Sequence, residues 1–275
     1  MTEENEPTPI IEVEGLVAHY GETEILHGID LRIYEREIMV IMGGSGSGKS
    51  TLLRFLLGLH RATRGSIRLL GTNVAEAGAR EMAALYRRMG VSFQGGALFT
   101  SMTVGENVQM PLREHTRLDE NTMQIMARMK LEMVNLGGFA DMMPAQLSGG
   151  MIKRAALARA IVMDPKLLFF DEPSAGLDPV VSAELDELIL RIRNAMNTTI
   201  VVVTHDLDST FRIADRITVL DQGNILMTGS VEEIRASGNP RIQGLLNRQV
   251  REVQVDADEY LRRLTGQSAS TDASP

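Results

Sequence analysis

Residues 37–59 read EIMVIMGGSGSGKSTLLRFLLGL, and this stretch decides the fold. The run from Glu37 to Met42 predicts a buried strand, and the leucines after Lys49 fall at helical spacing. Between them lies the pattern GxxxxGKS, in which glycines let successive backbone N–H groups converge on phosphate oxygens. The order strand, glycine loop, helix therefore predicts a phosphate-binding P-loop within an α/β fold.

The residues of this loop have separate expected roles. Lys49 is expected to reach the terminal phosphates of a nucleotide and to act in catalysis, and the hydroxyl of Ser50 is expected to ligate Mg²⁺. The alternative, a merely flexible glycine turn, is disfavoured because every fixed position of the motif is filled. The expected nucleotide contacts are Gly43, Gly44, Ser45, Gly46, Ser47, Gly48, Lys49, Ser50 and Thr51.

A second motif, Leu147-Ser148-Gly149-Gly150-Met151, opens a predicted helix from Ile152 to Met163. At a helix N-terminus, Ser148 and the N–H groups of Gly149 and Gly150 would suit a phosphate. The P-loop already supplies one such cradle. Two anion sites and one nucleotide make sense if two chains face head to tail, each completing the other's site. The alternative is that Ser148 caps the helix and binds no ligand.

Residues 167–173, LLFFDEP, predict a buried strand that delivers two carboxylates to the carboxyl edge of the sheet, where α/β proteins place their ligands. Asp171 is expected to ligate Mg²⁺, directly or through water. Glu172 is expected to accept a proton from the water that attacks the γ-phosphate. The alternative is that both acids cap the start of a helix before Pro173.

Three further side chains flank the predicted site. Gln94 follows a predicted strand and is expected to sense Mg²⁺ and the γ-phosphate. His205 ends a predicted buried strand from Thr199 to Thr204. There it would contact the γ-phosphate or hold Glu172 and the water in line. Tyr20 would stack on the adenine for about 1–3 kcal/mol. The alternatives are a turn glutamine, a satisfied core or capping histidine, and a half-buried strand tyrosine.

Composition excludes several classes of protein. The 28 basic residues against 36 acidic ones give a net charge of -8, the wrong sign for affinity based on neutralising nucleic-acid phosphates. The absence of cysteine excludes a disulfide framework and a thiolate metal site. No run approaches the roughly 18–20 apolar residues of a membrane-spanning helix, and no basic region followed by an apolar one opens the chain. We therefore expect a soluble cytosolic protein that binds no nucleic acid.

Strand signals dominate both ends of the main body of the chain. Apolar residues alternate at 10–14 and 29–33, which predicts strands. Strand and helix signals alternate again from Lys166 to Leu220, which predicts a parallel sheet covered on both faces.

Between about Met102 and Leu147 the strand signals vanish, which predicts a helical insertion. This segment is unusual in composition, because 9 of the 17 methionines lie between Met102 and Met151. Four of them fall on one face of a predicted helix, either as core filler or as a docking surface for a partner. They are Met123, Met126, Met129 and Met133.

Taken in order, these motifs resemble the nucleotide-binding subunit of ABC transporters over about residues 10–235. The resemblance implies an α/β P-loop NTPase with a RecA-like mixed sheet core, an antiparallel β subdomain and a helical subdomain inserted at about 101–163. It implies ATP and Mg²⁺ as cofactors and a homodimer that sandwiches two ATPs, with Asp178 in a loop that contacts the other copy. The expected domain spans 8–248.

The stretch 93–115 and the methionine of LSGGM look more narrowly like the ATPases of Mla-type lipid-asymmetry systems; most ABC subunits have glutamine at Met151. That resemblance implies phospholipid movement between inner and outer membranes. It also implies an MlaE-like permease, an MlaD-like MCE protein and an MlaB-like STAS protein as partners. The chain would then lie at the cytoplasmic face of the inner membrane. Residues 249–275 resemble an extension that clasps the opposite ATPase copy, with Tyr260, Leu261 and Leu264 as anchors; disorder is the alternative.

Three rival functions stay open at this point. An importer ATPase for another solute differs mainly in the stretch 93–115. A soluble ABC mechanoenzyme would be expected to carry a long coiled-coil insertion or two fused cassettes, and the chain has neither. A regulator that binds nucleotide without hydrolysis conflicts with the intact set of Asp171, Glu172 and His205.

Overall fold

The computed structural model describes residues 8–248, apart from the side chain of Tyr20. The predicted clasp at 249–275, with Tyr260, Leu261 and Leu264, lies outside the described residues, as does the ring of Tyr20. The strands are β1 (Pro9–Tyr20), β2 (Thr23–Tyr34), β3 (Ile38–Met42), β4 (Arg64–Leu69), β5 (Thr72–Asn73), β6 (Met89–Ser92), β7 (Leu167–Asp171), β8 (Thr199–Thr204), β9 (Arg216–Asp221) and β10 (Asn224–Gly229). The helices are α1 (Lys49–Leu56), α2 (Ala79–Tyr86), α3 (Val104–His115), α4 (Glu120–Met133), α5 (Gly149–Ile161), α6 (Pro179–Met196), α7 (Leu207–Ile213), α8 (Val231–Ala236) and α9 (Pro240–Leu246), with two short 3-10 turns at Gly137–Phe139 and Pro144–Gln146.

A six-stranded sheet in the order β10-β9-β3-β8-β7-β6 forms the centre of the fold. Its pairs are parallel except for β10 against β9, so the sheet is mixed. Strands β3 and β8 are buried along their whole length, as their uninterrupted apolar sequences require when both faces of a sheet are covered. The predicted α/β class with a mixed sheet core is confirmed.

The two faces of β7 show how the cores are divided. Leu168 and Phe170 pack into a core on the side of α3–α6, whereas Leu167 and Phe169 pack into a second core. Successive side chains of a strand point to opposite faces, so one apolar run supplies both cores. The second core is closed by an antiparallel sheet in the order β2-β1-β4-β5, which confirms the predicted antiparallel subdomain.

Strands β1 and β2 are longer than the sequence predicted. Each has 12 residues, against the expected strands at 10–14 and 29–33. The pairing of β1 with β2 shifts register near Val13, Leu16 and Ala18, and Gly15 has a φ of +54°. Such bulges interrupt strict alternation, which is why the pattern faded before the strands ended.

The methionine face of α4 differs from its prediction. Met123 is buried and Met126 and Met133 pack at the edge of the core, but Met129 is 61% exposed. The buried face instead follows Met123, Ala127 and Leu131, at i, i+4 and i+8, as expected for a 3.6-residue repeat.

Candidate functional site

Three neighbouring strands of the central sheet end at the same edge. The P-loop follows β3, His205 follows β8, and Asp171 and Glu172 lie at the end of β7. Because β3, β8 and β7 are adjacent and parallel, their carboxyl ends meet there. The topology therefore brings these predicted site residues together.

The P-loop carries a buried cation. Lys49 is 9% exposed, and its Nζ donates hydrogen bonds to the carbonyl oxygens of Gly43 at 2.8 Å and Gly44 at 2.9 Å. Burial lowers the pKa of Lys49, while the negative charges of Glu172 and Asp171 oppose that effect. The ammonium is thus held at the sheet edge close to two carboxylates.

The start of α1 is built to accept an anion. Its N-cap is Gly48, which has a φ of +103° and no side chain to accept the N–H groups of the first turn. A Cβ at Gly43 would collide with the carbonyl oxygen of Leu220, so that glycine is required by packing. The buried hydroxyl of Ser47 has no hydrogen-bond partner within residues 8–248. Free N–H groups, a hydroxyl and an ammonium form a donor set that fits the phosphates of a nucleotide.

Oxygen ligands suited to Mg²⁺ lie beside this cradle. Ser50 is exposed at the first turn of α1, and Asp171 is half-buried at the end of β7. Burial and the neighbouring charge of Glu172 raise the pKa of Asp171, and the attraction of Arg54, Lys153 and Lys49 lowers it. Mg²⁺ usually binds through one or two carboxylates together with substrate phosphates and water.

No cluster of three or more histidine, cysteine or acidic side chains that would hold a metal by itself occurs in the described part of the chain. Ser50 and Asp171, by the chemistry of their oxygen atoms, fit Mg²⁺ that is also bound by nucleotide phosphates.

Glu172 is held by the strand next to its own. Thr204 Oγ1 donates to Glu172 Oε2 at 3.0 Å, and His205 Nδ1 lies 2.8 Å from Oε1. The Glu172 side chain is 14% exposed and that of His205 is 68% exposed, so the carboxylate is sheltered while the ring reaches solvent. Of the two alternatives proposed for His205, a core residue is inconsistent with this exposure. The histidine is positioned to orient the carboxylate.

The backbone of Glu172 is strained. Its φ of +48° lies in the left-handed region, which costs a non-glycine residue about 1–2 kcal/mol. Hydrogen bonds hold it there: its N–H donates to the carbonyl of Val203 at 2.8 Å, and its own carbonyl accepts from the N–H of Ala175 and from Lys153 Nζ, each at 3.2 Å. Strain of this kind concentrates at functional sites.

Gln94 is exposed in the loop after β6, and the loop is bound to α5 through its backbone. Lys153 Nζ donates to the carbonyl of Gln94 as well as to that of Glu172. Arg159 donates to the carbonyls of Gly96 at 2.8 Å and Ala97 at 2.7 Å. The exposed glutamine side chain makes no hydrogen bond within residues 8–248, so it can meet a ligand.

The LSGGM segment and Asp178 lie at the N-termini of two further helices, α5 and α6. Ser148 Oγ accepts the N–H of Met151 at 3.3 Å, so Ser148 does cap α5, yet Ser148 and Gly149 remain exposed. Asp178 is exposed too, and it caps α6 through the N–H groups of Val180 and Val181. No hydrogen bond within residues 8–248 joins either segment to the P-loop or to Glu172.

Two residues of the site were missed by sequence reasoning. Thr204 precedes His205 at the end of an apolar strand, and this position was a usable signal for it. Lys153 is a buried charge among the alanines of α5. A lysine inside an otherwise apolar helix face is also a signal, but its two acceptors lie 19 and 59 residues away.

No helix in the described residues is long and apolar enough to cross a membrane.

Two comparisons place the chain among known sequences. A profile of the ABC transporter family matches residues 26–175, more than half of the chain. Over 237 residues the chain is 41% identical to a probable ribonucleotide transport ATP-binding protein, mkl, of Mycobacterium leprae, which covers 86% of this chain and 68% of the relative. Over 233 residues it is 40% identical to the intermembrane phospholipid transport ATP-binding protein MlaF of Haemophilus influenzae, covering 85% of this chain and 88% of that protein.

A solved structure supports the same assignment. The ATP-binding cassette MJ0796, determined as a dimer in a post-hydrolysis state with ADP and Pi, aligns with a TM-score of 0.73 at 30% identity. The alignment covers 80% of this chain and 98% of the cassette. The chain therefore belongs to the ABC transporter family and is an ABC-type ATPase, the ATP-binding and ATP-hydrolysing subunit of a transporter.

Proposed function

We propose that this ATPase powers the movement of phospholipids between the inner and outer membranes of a bacterial envelope. The observation that carries the proposal is the match to MlaF of H. influenzae, which extends over 88% of that protein, against 68% of the mycobacterial relative. The stretch 93–115, which resembles Mla-type ATPases, adds two exposed rings beside the Gln94 loop, Phe93 and Phe99. Exposed apolar groups of this kind suit a contact with a permease.

A ribonucleotide is the second candidate substrate. The M. leprae relative is named for ribonucleotide transport, and its identity of 41% is close to the 40% of the H. influenzae MlaF. The ATPase motifs are common to phospholipid and ribonucleotide transporters, so the substrate depends on the membrane partners.

In either case the P-loop binds the nucleotide. Lys49 and the free N–H groups at the start of α1 bind the terminal phosphates, and Tyr20 stacks on the adenine. When bound, Mg²⁺ neutralises phosphate charge. Ser50, Asp171 and Gln94 supply the oxygen atoms that hold it.

Glu172 acts as the general base. Thr204 donates to one carboxylate oxygen and His205 lies beside the other, so the group is fixed in direction. A carboxylate oxygen of Glu172 takes the proton of the attacking water. The side chain is only 14% exposed, so the carboxylate is sheltered from bulk solvent.

The functional unit is a homodimer in which each copy completes the other's site. The exposed N-terminus of α5, with Ser148, Gly149 and Gly150, and the exposed Asp178 face the nucleotide held by the second copy. Their lack of hydrogen bonds to the P-loop within residues 8–248 supports this arrangement. So does the dimer seen for the related cassette with ADP and Pi.

The remaining parts of the proposal concern assembly. Residues 8–248 form one nucleotide-binding domain, with the helical subdomain at about 101–163, and residues 249–275 clasp the opposite copy through Tyr260, Leu261 and Leu264. An MlaE-like permease holds the dimer at the cytoplasmic face of the inner membrane. An MlaD-like MCE protein and an MlaB-like STAS protein complete the complex.

Purification of the complex from its native membrane tests the substrate. Mass spectrometry should find an MCE protein, a permease and bound phospholipid, and reconstituted vesicles should move a labelled phospholipid only with Mg-ATP. Vesicles containing the Lys49→Ala variant are the control for ATP dependence. A solute-binding partner of another type, with ribonucleotide and no phospholipid, would overturn the lipid assignment in favour of the second candidate.

A further inference from the structure

Helix α5 connects three parts of the site. Its exposed N-terminus carries Ser148, and Lys153 lies just over one turn further on. Lys153 is 8% exposed, and its ammonium reaches the loop after β6 and the loop after β7 at once. No other side chain in the described residues hydrogen-bonds to the backbone of both Gln94 and Glu172.

The surroundings of this ammonium are unusual. It donates to the carbonyl oxygens of Gln94 and Glu172, and no carboxylate in residues 8–248 lies within ion-pair distance of it. Burial lowers the pKa of Lys153, and the more distant charges of Asp171 and Glu172 oppose that effect. A buried cation without a directly bonded anion is expensive, so a neutral side chain would be expected here if packing were its only role.

Arg159 is a second side chain of α5 that binds the Gln94 loop. It binds the carbonyls of Gly96 and Ala97, so the Gln94 loop is attached to α5 at two points. Of these two α5 side chains, only Lys153 hydrogen-bonds within residues 8–248 to Glu172 as well, at the carbonyl of its left-handed backbone. A shift of α5 would therefore reach the backbone of Glu172 through one side chain.

We propose that Lys153 is a positioning residue that couples the ATP-facing end of α5 to the backbone of Glu172 and to the Gln94 loop. The inference rests on the roles of Ser148, Glu172 and Gln94 in the proposed function. When Ser148 engages the nucleotide of the second copy, Lys153 sets both catalytic loops relative to it, so that hydrolysis depends on a closed dimer.

The test compares kcat and KM for ATP in the assembled transporter. Lys153→Met keeps an unbranched side chain, one bond shorter than lysine, but removes its charge and donors, and we expect kcat to fall on the order of 10-fold or more, as small misplacements of catalytic groups do. KM and the Kd for ATP should stay within about twofold, because no P-loop contact is lost. Lys153→Arg, which can still reach two carbonyls, should recover most of the rate.

Lys130→Met is the matched control. Its ammonium pairs with Asp164 at 2.5 Å, away from the site, so the same substitution should lower stability without lowering kcat. If Lys153→Met does not fold, Lys153→Gln decides the question. Its side chain is one bond shorter and reaches at most one carbonyl, so kcat should fall several-fold.

A double-mutant comparison separates positioning from packing. In a Glu172→Gln background, Lys153→Met should cause no further loss of residual turnover, because both changes act through one group. Wild-type kcat in Lys153→Met or Lys153→Gln, an equal loss in Lys130→Met, or an additive loss in the double variant would overturn the inference. Near-normal turnover in Glu172→Gln alone would instead overturn the assignment of the base in the proposed function.

Discussion

Helices α1 and α5 both begin in glycine-rich segments, but their first turns are completed in opposite ways. At α1 the N-cap is Gly48, and no side chain accepts the N–H groups of the first turn. At α5 Ser148 accepts the N–H of Met151 and caps its own helix. The first helix end therefore lacks an acceptor that a phosphate can supply, whereas the second is stable as it stands.

Their positions differ as well. The start of α1 lies at the sheet edge with Asp171, Glu172 and His205, while the start of α5 is exposed and makes no hydrogen bond to that edge in the described residues. One chain thus brings the P-loop and Glu172 together at one edge, while the N-terminus of α5 is not hydrogen-bonded to that edge within residues 8–248. Under the proposed function, the α1 end is a binding site by local construction, whereas the α5 end requires a second copy to become one.

The largest expected effect concerns the α1 end. Glu172→Gln keeps the shape of the side chain beside Thr204 and His205 but removes the base, so kcat should fall about 10²–10⁴-fold. ATP should still bind, because the P-loop is untouched. Steady-state turnover together with an ATP Kd measures both, and loss of binding would contradict the separation of base from cradle.

The next largest effect is expected from a substitution at the N-terminus of α5 alone. Ser148→Asp should cap the helix as well as serine does but repel a phosphate, so the ATP-driven dimer should weaken by about 10-fold or more. Light scattering in the Glu172→Gln background, where ATP persists, measures the dimer.

Ser148→Asn is the control for this experiment, since asparagine caps without charge. Both variants should keep the wild-type Tm and the ATP affinity of the monomer. If the Asp and Asn variants dimerise alike, the proposed contact across the dimer is wrong.

A smaller effect is expected from removing the hydrogen bond that orients Glu172, the proposed base. Thr204→Val keeps the shape of a buried side chain but removes the hydrogen bond to the Glu172 carboxylate and the acceptor for the N–H of Asp206, so kcat should fall about 10-fold with KM unchanged. Thr199→Val, at the other end of β8, loses the acceptor for the N–H of Arg36 and should affect stability only. Equal kcat values for the two variants would refute the orienting role.

The smallest effect is a pH dependence of stability. Because the pKa of Asp171 is raised in the folded chain, the unfolded state binds fewer protons above the ordinary value of 3.8, and stability falls as pH rises through the window up to the raised value. Asp171→Asn removes this loss, so its Tm at pH 7 should exceed that of the wild type on the order of 1–2 °C.

The difference in Tm should close below pH 3.8. Mg-ATP should reverse the order at pH 7, because the wild-type carboxylate gains a cation that asparagine binds poorly. A Tm difference independent of pH would exclude the ionisation of Asp171 as its cause.

Local sequence patterns were sufficient to predict most of the strands and helices. The strand from Thr199 to Thr204 was predicted residue for residue, since six apolar or β-branched residues in a row fit only a buried strand here. The start of α5 was predicted three residues late, at Ile152 instead of Gly149. Glycine lowers helix propensity, but the cap by Ser148 and the packing of Gly150 against Val181 outweigh that preference.

The sequence by itself determined the P-loop, the carboxylate pair and the capped LSGGM segment, because each is a run of adjacent residues whose spacing carries the chemistry. Only the tertiary structure decided what holds them. Thr204 and Lys153 reach Glu172 across 32 and 19 residues of chain, and Lys153 reaches Gln94 across 59. These contacts exist because parallel strands end at one edge of the sheet and because helix α5, which carries Lys153, packs beside that edge. No local sequence pattern encodes that geometry.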